Sequence, residues 1–472
     1  MEEGGIFSDL GIKNFLEGDF FSWYLDVWDD RVKDVVTVVI KKLIEFEPST
    51  ASLEPEQVRD LLKKLYQNLV PKKIRHDLGE FFTPDWLAEL VLNEVGFEGD
   101  PNKRILDPAC GSGTFLVLAI KRIREYAADN LLDKYSVLAK NLDNVRGFDL
   151  NSLAVIASRT NYLMALGELL RYTKGKNIQI PVYLCDSNSV SVKETLDGRI
   201  YDVATSVGNF SVPAEVVEAK AIDDMFSITD DCIKNHYKSN EFIDMIRSKF
   251  MRMSPTSLEL FEKVYQKLLH LEFRGINRIW ARVIKNSFAP FFSGKFDFVV
   301  GNPPWVNWEN LPADYRKETR SLWIEYGLIR ISSAGTFKKD LAMLFTAVSV
   351  SRYLSNDGLL GFLVPFTLVK TQAGSGYRSF LANKCEIIKI DEMVDLAPFE
   401  NVINRTSLLI LKKGQTKFPV DCTSWSKLER GELGSDYTVD QIRLITKRQR
   451  MALEPIETKG KPESPGSLLT AD

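Results

Sequence analysis

An apolar strand, a tight glycine turn and a helix start follow one another without a gap in Ile105-Leu106-Asp107-Pro108-Ala109-Cys110-Gly111-Ser112-Gly113-Thr114-Phe115-Leu116. A chain that passes this sharply from strand to helix points to the α/β class, in which each helix packs back on the sheet its strand has joined. The flanking texture agrees. Short apolar strands precede amphipathic helices at Arg104 to Leu106, at Val145 to Leu150 before Leu153 to Leu166, at Ile180 to Leu184 and at Phe296 to Val300. The pattern resumes at Leu359 to Val364, Ile387 to Val394 and Ser407 to Leu411. The predicted core is a doubly wound, Rossmann-like parallel sheet.

Around this core the sequence predicts three further parts. Residues 1–85 read as a helical N-terminal domain, with apolar positions at helical spacing in Val32, Val35, Val36, Val39, Ile40 and Leu43 and again in Leu61, Leu62, Leu65 and Leu69. Residues 86–415 form the core domain. The long interval 187–294 inside it begins with a predicted hairpin, Ile200 to Thr205 and Asn209 to Val212. It continues as helix through Leu258, Phe261, Val264, Tyr265, Leu268 and Leu269, so residues of about 210–294 read as a mostly helical insertion. Residues 416–472 read as a C-terminal extension or linker, because Pro455, Pro462 and Pro465 fall among Lys, Gly and Ser.

Composition narrows the chemistry. Five cysteines, Cys110, Cys185, Cys232, Cys385 and Cys422, lie dozens of residues apart with no C-x-x-C pair, so neither a disulfide framework nor a zinc site is indicated. His76, His236 and His270 are the only imidazoles, which argues against metal-ligand clusters and His-centred triads; no metal is expected. No stretch approaches the roughly 20 apolar residues of a membrane span, and the start, Met-Glu-Glu-Gly-Gly, does not resemble a secretory signal, so a cytoplasmic protein is expected. With 61 Lys and Arg against 64 Asp and Glu, the net charge of −3 by itself argues against a protein that coats nucleic acid through bulk charge. Residues 402–461 nevertheless carry twelve cations against seven acids, which is either a local basic surface or a solvated helix face.

The glycine loop fits neither familiar nucleotide motif. A dinucleotide loop needs Gly or Ala where Leu116 stands, and a P-loop needs Lys followed by Ser or Thr after its second fixed glycine, where none occurs. What remains is a close backbone turn, through Ala109, Gly111, Gly113, Thr114 and Phe115, with an acid, Asp107, at its entrance. S-adenosylmethionine suits it: the amino group and sulfonium are cationic, and the carboxylate can take N–H groups near a helix start. After the next strand, Asp149 and Leu150 set a carboxylate where a ribose diol could be gripped. After the third, Asp186 and Ser187 could accept a hydrogen bond from an adenine amino group. Alone, Asp149 or Asp186 is more often a helix cap, but in series after three successive strands the acids favour a cofactor site.

The strand Phe296-Asp297-Phe298-Val299-Val300 runs into Gly301-Asn302-Pro303-Pro304-Trp305. Two successive prolines donate no backbone hydrogen bond and hold an extended path, leaving the carbonyls of Asn302 and Pro303, with the Asn302 side chain, as fixed acceptors. Trp305 adds a stacking face. An exocyclic amine on a planar base needs that set, because its delocalised lone pair becomes nucleophilic only when acceptors draw its N–H groups towards tetrahedral geometry.

The cofactor string Asp107-Pro108-Ala109-Cys110-Gly111-Ser112-Gly113-Thr114-Phe115 and the string Asn302-Pro303-Pro304-Trp305 resemble the amino-group DNA methyltransferases of the adenine-N6 type. Upstream, Arg75 to Pro84 resembles that family's G-x-[FY]-[FY]-T-P element, which implies that Phe82, Thr83 and Pro84 close over the methionine part of the cofactor. The order of the three elements is that of the gamma group, found in type I modification subunits and type IIG restriction-modification enzymes, and the likeness runs through Lys339 to Phe345 over about residues 60–415. It implies a class I adenosylmethionine-dependent methyltransferase fold, Asn302, Pro303, Pro304 and Trp305 as catalytic residues, and an aromatic, here Phe399, stacking with Trp305 on an adenine flipped from double-stranded DNA. Family members that read a target carry a recognition domain beyond the core, where this chain has its Pro-containing tail, so a separate specificity or target-recognition chain is the expected partner. Two other readings stay open: a protein glutamine-N5 methyltransferase, although these favour Tyr at the Trp305 position, and a non-catalytic subunit binding adenosylmethionine or DNA.

Overall fold

The computed structural model describes residues 28–45 and 82–455, apart from short breaks at 174, 176, 189, 196–197, 206, 219–220, 251–252, 275–279, 330–338, 400–403, 430, 432 and 435–436, together with 11, 12, 14 and 469–471. The helix expected through Leu61 to Leu69, the residues Arg75 to Phe81 and most of the tail lie outside the described residues. The chain divides into two compact units, residues 1–57 with 173–294 and residues 58–172 with 295–472.

In the first unit Asn14 is held to Ile180, ahead of the insertion. Asn14 Nδ2 donates to the Ile180 carbonyl at 2.8 Å, and the Ile180 N–H donates to Asn14 Oδ1 at 2.7 Å. This pairing of a side-chain amide with a backbone amide joins Asn14 to a residue 166 positions away. The predicted hairpin is present, with Gly198–Thr205 antiparallel to Gly208–Pro213 and Val203 opposite Phe210. The predicted helix spans Pro255–Phe273, started by Ser254, whose Oγ accepts from the Ser257 N–H at 3.2 Å, and by Pro255 at its first position. Its buried stripe meets the helices Ile222–Lys234 and Ser239–Lys249 in an aromatic core where Phe242 stacks on Tyr265, centroids 4.1 Å apart.

The second unit is a mixed sheet with helices. We number its strands β1 (Ile105–Asp107), β2 (Val145–Asp149), β3 (Phe296–Gly301), β4 (Leu354–Pro365), β5 (Cys385–Met393), β6 (Thr406–Lys413), β7 (Val420–Lys427), β8 (Thr446–Pro455) and β9 (Leu469–Ala471). The helices that matter here are α1 (Asp85–Glu94), α2 (Thr114–Asp129), α3 (Ser152–Leu166), α4 (Leu341–Val348) and α5 (Ser375–Lys384). The strand order is β9-β8-β7-β5-β6-β4-β3-β1-β2. β1 is parallel to β2 on one side, Leu106 opposite Arg146, and to β3 on the other, Leu106 opposite Val299. β3 continues in parallel into β4, with Gly301 opposite Phe362, and β6 pairs antiparallel with both β4 and β5. The chain leaves β1 to one side and later returns on the other, so the crevice beyond the carboxyl end of β1 is a topological switch point, the place where open α/β sheets bind ligands.

The sheet extends past the expected boundary. β7 runs parallel to β5, and β8 pairs antiparallel along the whole of β7, so much of the segment read as a linker belongs to the sheet. Val420, Cys422 and Trp425 are buried between more exposed neighbours and anchor that extension.

α1 packs directly on β4 at a point where no side chain fits. A Cβ at Gly361 would lie 2.6 Å from Val95 Cγ1 and 2.9 Å from Val91 Cγ1. Gly361→Ala is therefore expected to destabilise the protein by about 1–3 kcal/mol, the usual cost of overpacking. A urea titration followed by tryptophan fluorescence should show an earlier midpoint; an unchanged one would mean that α1 slides without cost.

Candidate active site

The residues at the switch point are held by hydrogen bonds between the ends of β1 and β2 and by the close approach of β3. Beyond β1 the chain turns through Pro108 to Gly113 into α2, with Gly111 and Gly113 at φ 53° and 92°, in the left-handed region that glycine enters without cost. At Gly113 there is also no room, since a Cβ would fall 2.6 Å from Ser158 Oγ on α3. Gly111 faces open space. Its N–H donates to Asp149 Oδ2 at 2.8 Å, while Asp149 Oδ1 accepts from the Asn151 N–H, also at 2.8 Å. The Cys110 N–H donates to the Phe148 carbonyl at 2.9 Å, so β2 grips the loop at two successive residues. Leu150, next to Asp149, is exposed.

Asp107 is buried at the end of β1, with Oδ1 accepting from the Ala109 N–H at 3.0 Å. Burial pushes its carboxyl well above the usual carboxylate range; the Ala109 N–H opposes this shift and the Asp149 charge adds to it. On the other flank a Cβ at Gly301 would lie 2.7 Å from Asp107 Oδ1, so the end of β3 approaches this carboxyl as closely as a glycine allows. Thr114 and Phe115 are buried in the first turn of α2, whose leading N–H groups form the positive end of a helix dipole.

Asn302 to Trp305 follow directly from β3. Trp305 is nearly buried; its Nε1 donates to the Leu363 carbonyl at 3.3 Å and its ring meets Phe399 edge-on, centroids 5.2 Å apart at 84°. The two aromatics singled out in the sequence thus lie together, both buried. The segment beyond Trp305 is pinned to the start of α4: Asn307 bridges Asp340, the Trp308 N–H donates to the Lys339 carbonyl at 2.7 Å, and the Leu341 N–H donates to the Val306 carbonyl at 2.8 Å. Asp340 caps α4, accepting from the Ala342 N–H at 2.9 Å, and burial raises its carboxyl to about 7.

The other sequence candidates have local settings of their own. Pro84 precedes α1, accepting from the Leu87 and Ala88 N–H groups; Thr83 is buried and Phe82 half-buried, and α1 packs on α2. In the first unit, after the strand Val182–Leu184, Asp186 Oδ1 accepts from the Asn188 N–H at 2.8 Å, and Ser187 is buried. Two loop supports were missed by sequence reasoning. Asn161 donates its Nδ2 to the Ser112 carbonyl at 2.9 Å, and Ser158 backs Gly113. Their signal was present, as polar residues on the buried face of a helix otherwise lined by Ala154, Val155, Tyr162, Ala165 and Leu166.

Residues 143–399, more than half of the chain, match the model described as Eco57I restriction-modification methylase, and residues 57–165 match N-6 DNA Methylase. The chain belongs to the Eco57I restriction-modification methylase family. Within reach of this family it is 26% identical over 174 residues to the adenine-specific methyltransferase PglX of Streptomyces coelicolor, covering 33% of this chain and 14% of that protein. It is 31% identical over 121 residues to the type II methyltransferase M.PaeR7I of Pseudomonas aeruginosa, 25% and 19% of the two chains, and 27% identical over 192 residues to M.BstVI of Geobacillus stearothermophilus, 37% and 32%. The matched regions thus span a third or less of these relatives. Among solved structures, the type ISP restriction-modification enzyme LlaGI, in complex with a DNA substrate mimic, aligns over 85% of this chain and 29% of its own with 14% identity and a TM-score of 0.44.

The buried carboxyl of Asp340 gives this family member a pH signature. Its folded pKa lies above the ordinary value of 3.8, so the folded state holds this proton more tightly than the unfolded state. Its contribution to stability therefore falls as pH rises from about 4 to about 7, by roughly 2–4 kcal/mol in all. Asp340→Asn keeps an acceptor for Ala342 and removes the titration. Thermal melts should show the variant gaining on the wild type across that window, while the remaining slope from Asp107 persists; a constant offset would disprove the assignment.

Proposed function

We propose that this chain transfers a methyl group from S-adenosylmethionine to the N6 amino group of an adenine flipped out of double-stranded DNA, within a restriction-modification or related defence system. The observation that carries this reading is the convergence, at one switch point, of Asp107 from β1, Asp149 from β2 and Asn302 from β3. Membership in the Eco57I family and relatives named as adenine-specific and type II methyltransferases support it.

The residues fit the cofactor. Gly111 opens to free space, two carboxyls offer acceptors for a cationic amine and a ribose diol, and the first turn of α2 offers N–H groups to a carboxylate. Asp149 accepts the N–H groups of Gly111 and Asn151, and in this reading its carboxylate also takes the ribose diol. In this reading Ala109, Gly113, Thr114, Phe115 and Leu150 line the cofactor, with Phe82, Thr83 and Pro84 closing over its methionine end. Bound adenosylmethionine supplies an electrophilic methyl whose C–S bond electrons return to sulfur, leaving a neutral thioether.

The chain's own residues then have to make a poor nucleophile attack. The Asn302 side chain and the Pro303 carbonyl accept the two N–H groups of the adenine amine, drawing its lone pair out of conjugation; Pro304 keeps the path extended, and the surplus proton on N6 passes to solvent. Trp305 and Phe399 stack on the flipped base and offset part of the few kcal/mol that extrusion costs. Both rings are buried, so a base enters only with side-chain movement. A relative named as the methylase subunit of the type I restriction enzyme MjaIX, 26% identical over 129 residues, supports the further reading that a separate target-recognition chain directs the reaction.

Asn302→Ala is expected to lower methyl transfer by 10² or more, since one preorganised acceptor is worth that much, while leaving cofactor affinity within about twofold. Transfer of a tritiated methyl group to duplex DNA, beside calorimetry with S-adenosylhomocysteine, separates the two effects; retention of more than about a tenth of the rate would reject the amino-group mechanism. Asp149→Ala should do the reverse. Loss of its charge-assisted hydrogen bonds should weaken cofactor binding about ten- to a hundredfold, and unchanged affinity in a folded variant would remove Asp149 from the cofactor site.

A further inference from the structure

One loop of the sheet unit is built with more care than its surface position requires. It runs from Phe366 through a helical turn at Thr367–Lys370 to Ser375, the first residue of α5. Arg378, buried on α5, sends Nη1 to the carbonyls of Leu368 at 3.1 Å and Thr371 at 2.6 Å. Lys339 Nζ donates to the carbonyl of Ala373. A Cβ at Gly374 would overlap the Leu368 carbonyl oxygen, so the turn is also closed as tightly as glycine permits. Two cations are thus spent on three loop carbonyls. Burying a guanidinium is costly unless its donors are satisfied, and satisfying them here fixes the path of the loop.

The same loop is tied to the proposed catalytic segment at both ends. Leu363, three residues before Phe366, accepts the Trp305 indole N–H. Lys339 directly precedes Asp340, which bridges Asn307 two residues beyond Trp305. Among the described side chains of this segment, Thr367, Lys370, Thr371 and Ser375 are exposed. Lys370 Nζ lies 4.6 Å above the Phe366 ring, a cation–π contact that steadies the ammonium without neutralising it. Charge bias points the same way. From residue 358 to residue 385 there is no Asp or Glu, in a chain that has 64 among 472 residues, while Lys370, Arg378 and Lys384 fall within that stretch. A rigid, acid-free loop offering one ammonium and three hydroxyls suits a polyanionic backbone, because phosphates take such contacts without regard to sequence.

We propose that the Phe366–Ser375 loop is a backbone clamp, in which Lys370, with the hydroxyls of Thr367, Thr371 and Ser375 beside it, holds a phosphate of the DNA strand next to the extruded adenine. The proposal rests on the methyltransferase reading above. Its role is to position the strand so that the base reaches Asn302 to Trp305, and it contributes affinity without reading sequence.

The test is the salt dependence of DNA binding by the full chain, measured by anisotropy with a labelled duplex in the presence of S-adenosylhomocysteine. Lys370→Ala should weaken binding about tenfold and reduce the slope of log K against log salt by about one. Lys370→Arg should restore most of both, and calorimetric affinity for S-adenosylhomocysteine should stay at the wild-type value in all three proteins. Lys263→Ala, which removes a surface lysine paired with Glu259 in the other unit, should change neither affinity nor slope. Unchanged affinity and slope in Lys370→Ala overturn the clamp, and if the wild type still methylates DNA, the catalytic reading survives that failure. A wild-type chain that neither binds duplex DNA nor transfers a methyl group overturns both.

Discussion

The site depends on backbone approaching side chain more closely than any Cβ would permit. At Gly113 the loop meets Ser158, at Gly147 strand β2 meets Leu116 Cδ1, and at Gly301 strand β3 meets Asp107 Oδ1, with distances to an added Cβ of 2.6, 2.7 and 2.7 Å. These contacts surround the carboxyl end of β1 on every strand that borders it. An interior packed this closely cannot yield by a methyl group without moving an element. The three glycines therefore fix how near the ends of β1, β2 and β3 lie to one another, and that spacing decides which functional groups share the crevice.

Electrostatics then gives each acid a separate character. Asp149 accepts the N–H groups of Gly111 and Asn151. Asp107 has one such donor, Ala109, and is otherwise enclosed, so its ionised form is disfavoured until a cation reaches it. A buried carboxyl whose ionised form is disfavoured suits a ligand that brings positive charge to it. The same logic, with cations buried against carbonyls, builds the loop from Phe366 to Ser375 on the neighbouring strand.

Much of the architecture was legible in the sequence, and the reason is periodicity. β1, β2 and β3 are short apolar runs followed by glycine or by helix starts, the helix Pro255–Phe273 shows its buried stripe at spacings of three and four, and the hairpin Gly198–Thr205 with Gly208–Pro213 alternates. The C-terminal strands were harder. β8, beginning Thr446-Lys447-Arg448-Gln449-Arg450, has no apolar alternation, and it is a strand because β7 offers it a full ladder of backbone partners. A charge run of that kind reads equally as a solvated helix. β7 did carry a signal, Val420, Cys422 and Trp425 set among polar residues, but the prolines and glycines beyond it gave the whole segment the look of a linker.

The sequence alone determined the chemistry that is available: which residues stand at strand ends, that the glycine turn is wrong for dinucleotides and for P-loop phosphates, and that Asn302 to Trp305 present acceptors and a ring. These follow from residue identity and from the local restrictions of glycine and proline. Tertiary structure decided which of those residues meet. That Asp149 holds Gly111, that Phe399 turns its ring on Trp305 across nearly a hundred residues, that Asn161 supports the loop from α3, and that Asn14 pairs with Ile180 all depend on contacts between distant segments. Such contacts are set by strand order and by packing at glycine, which no local pattern in a single sequence encodes.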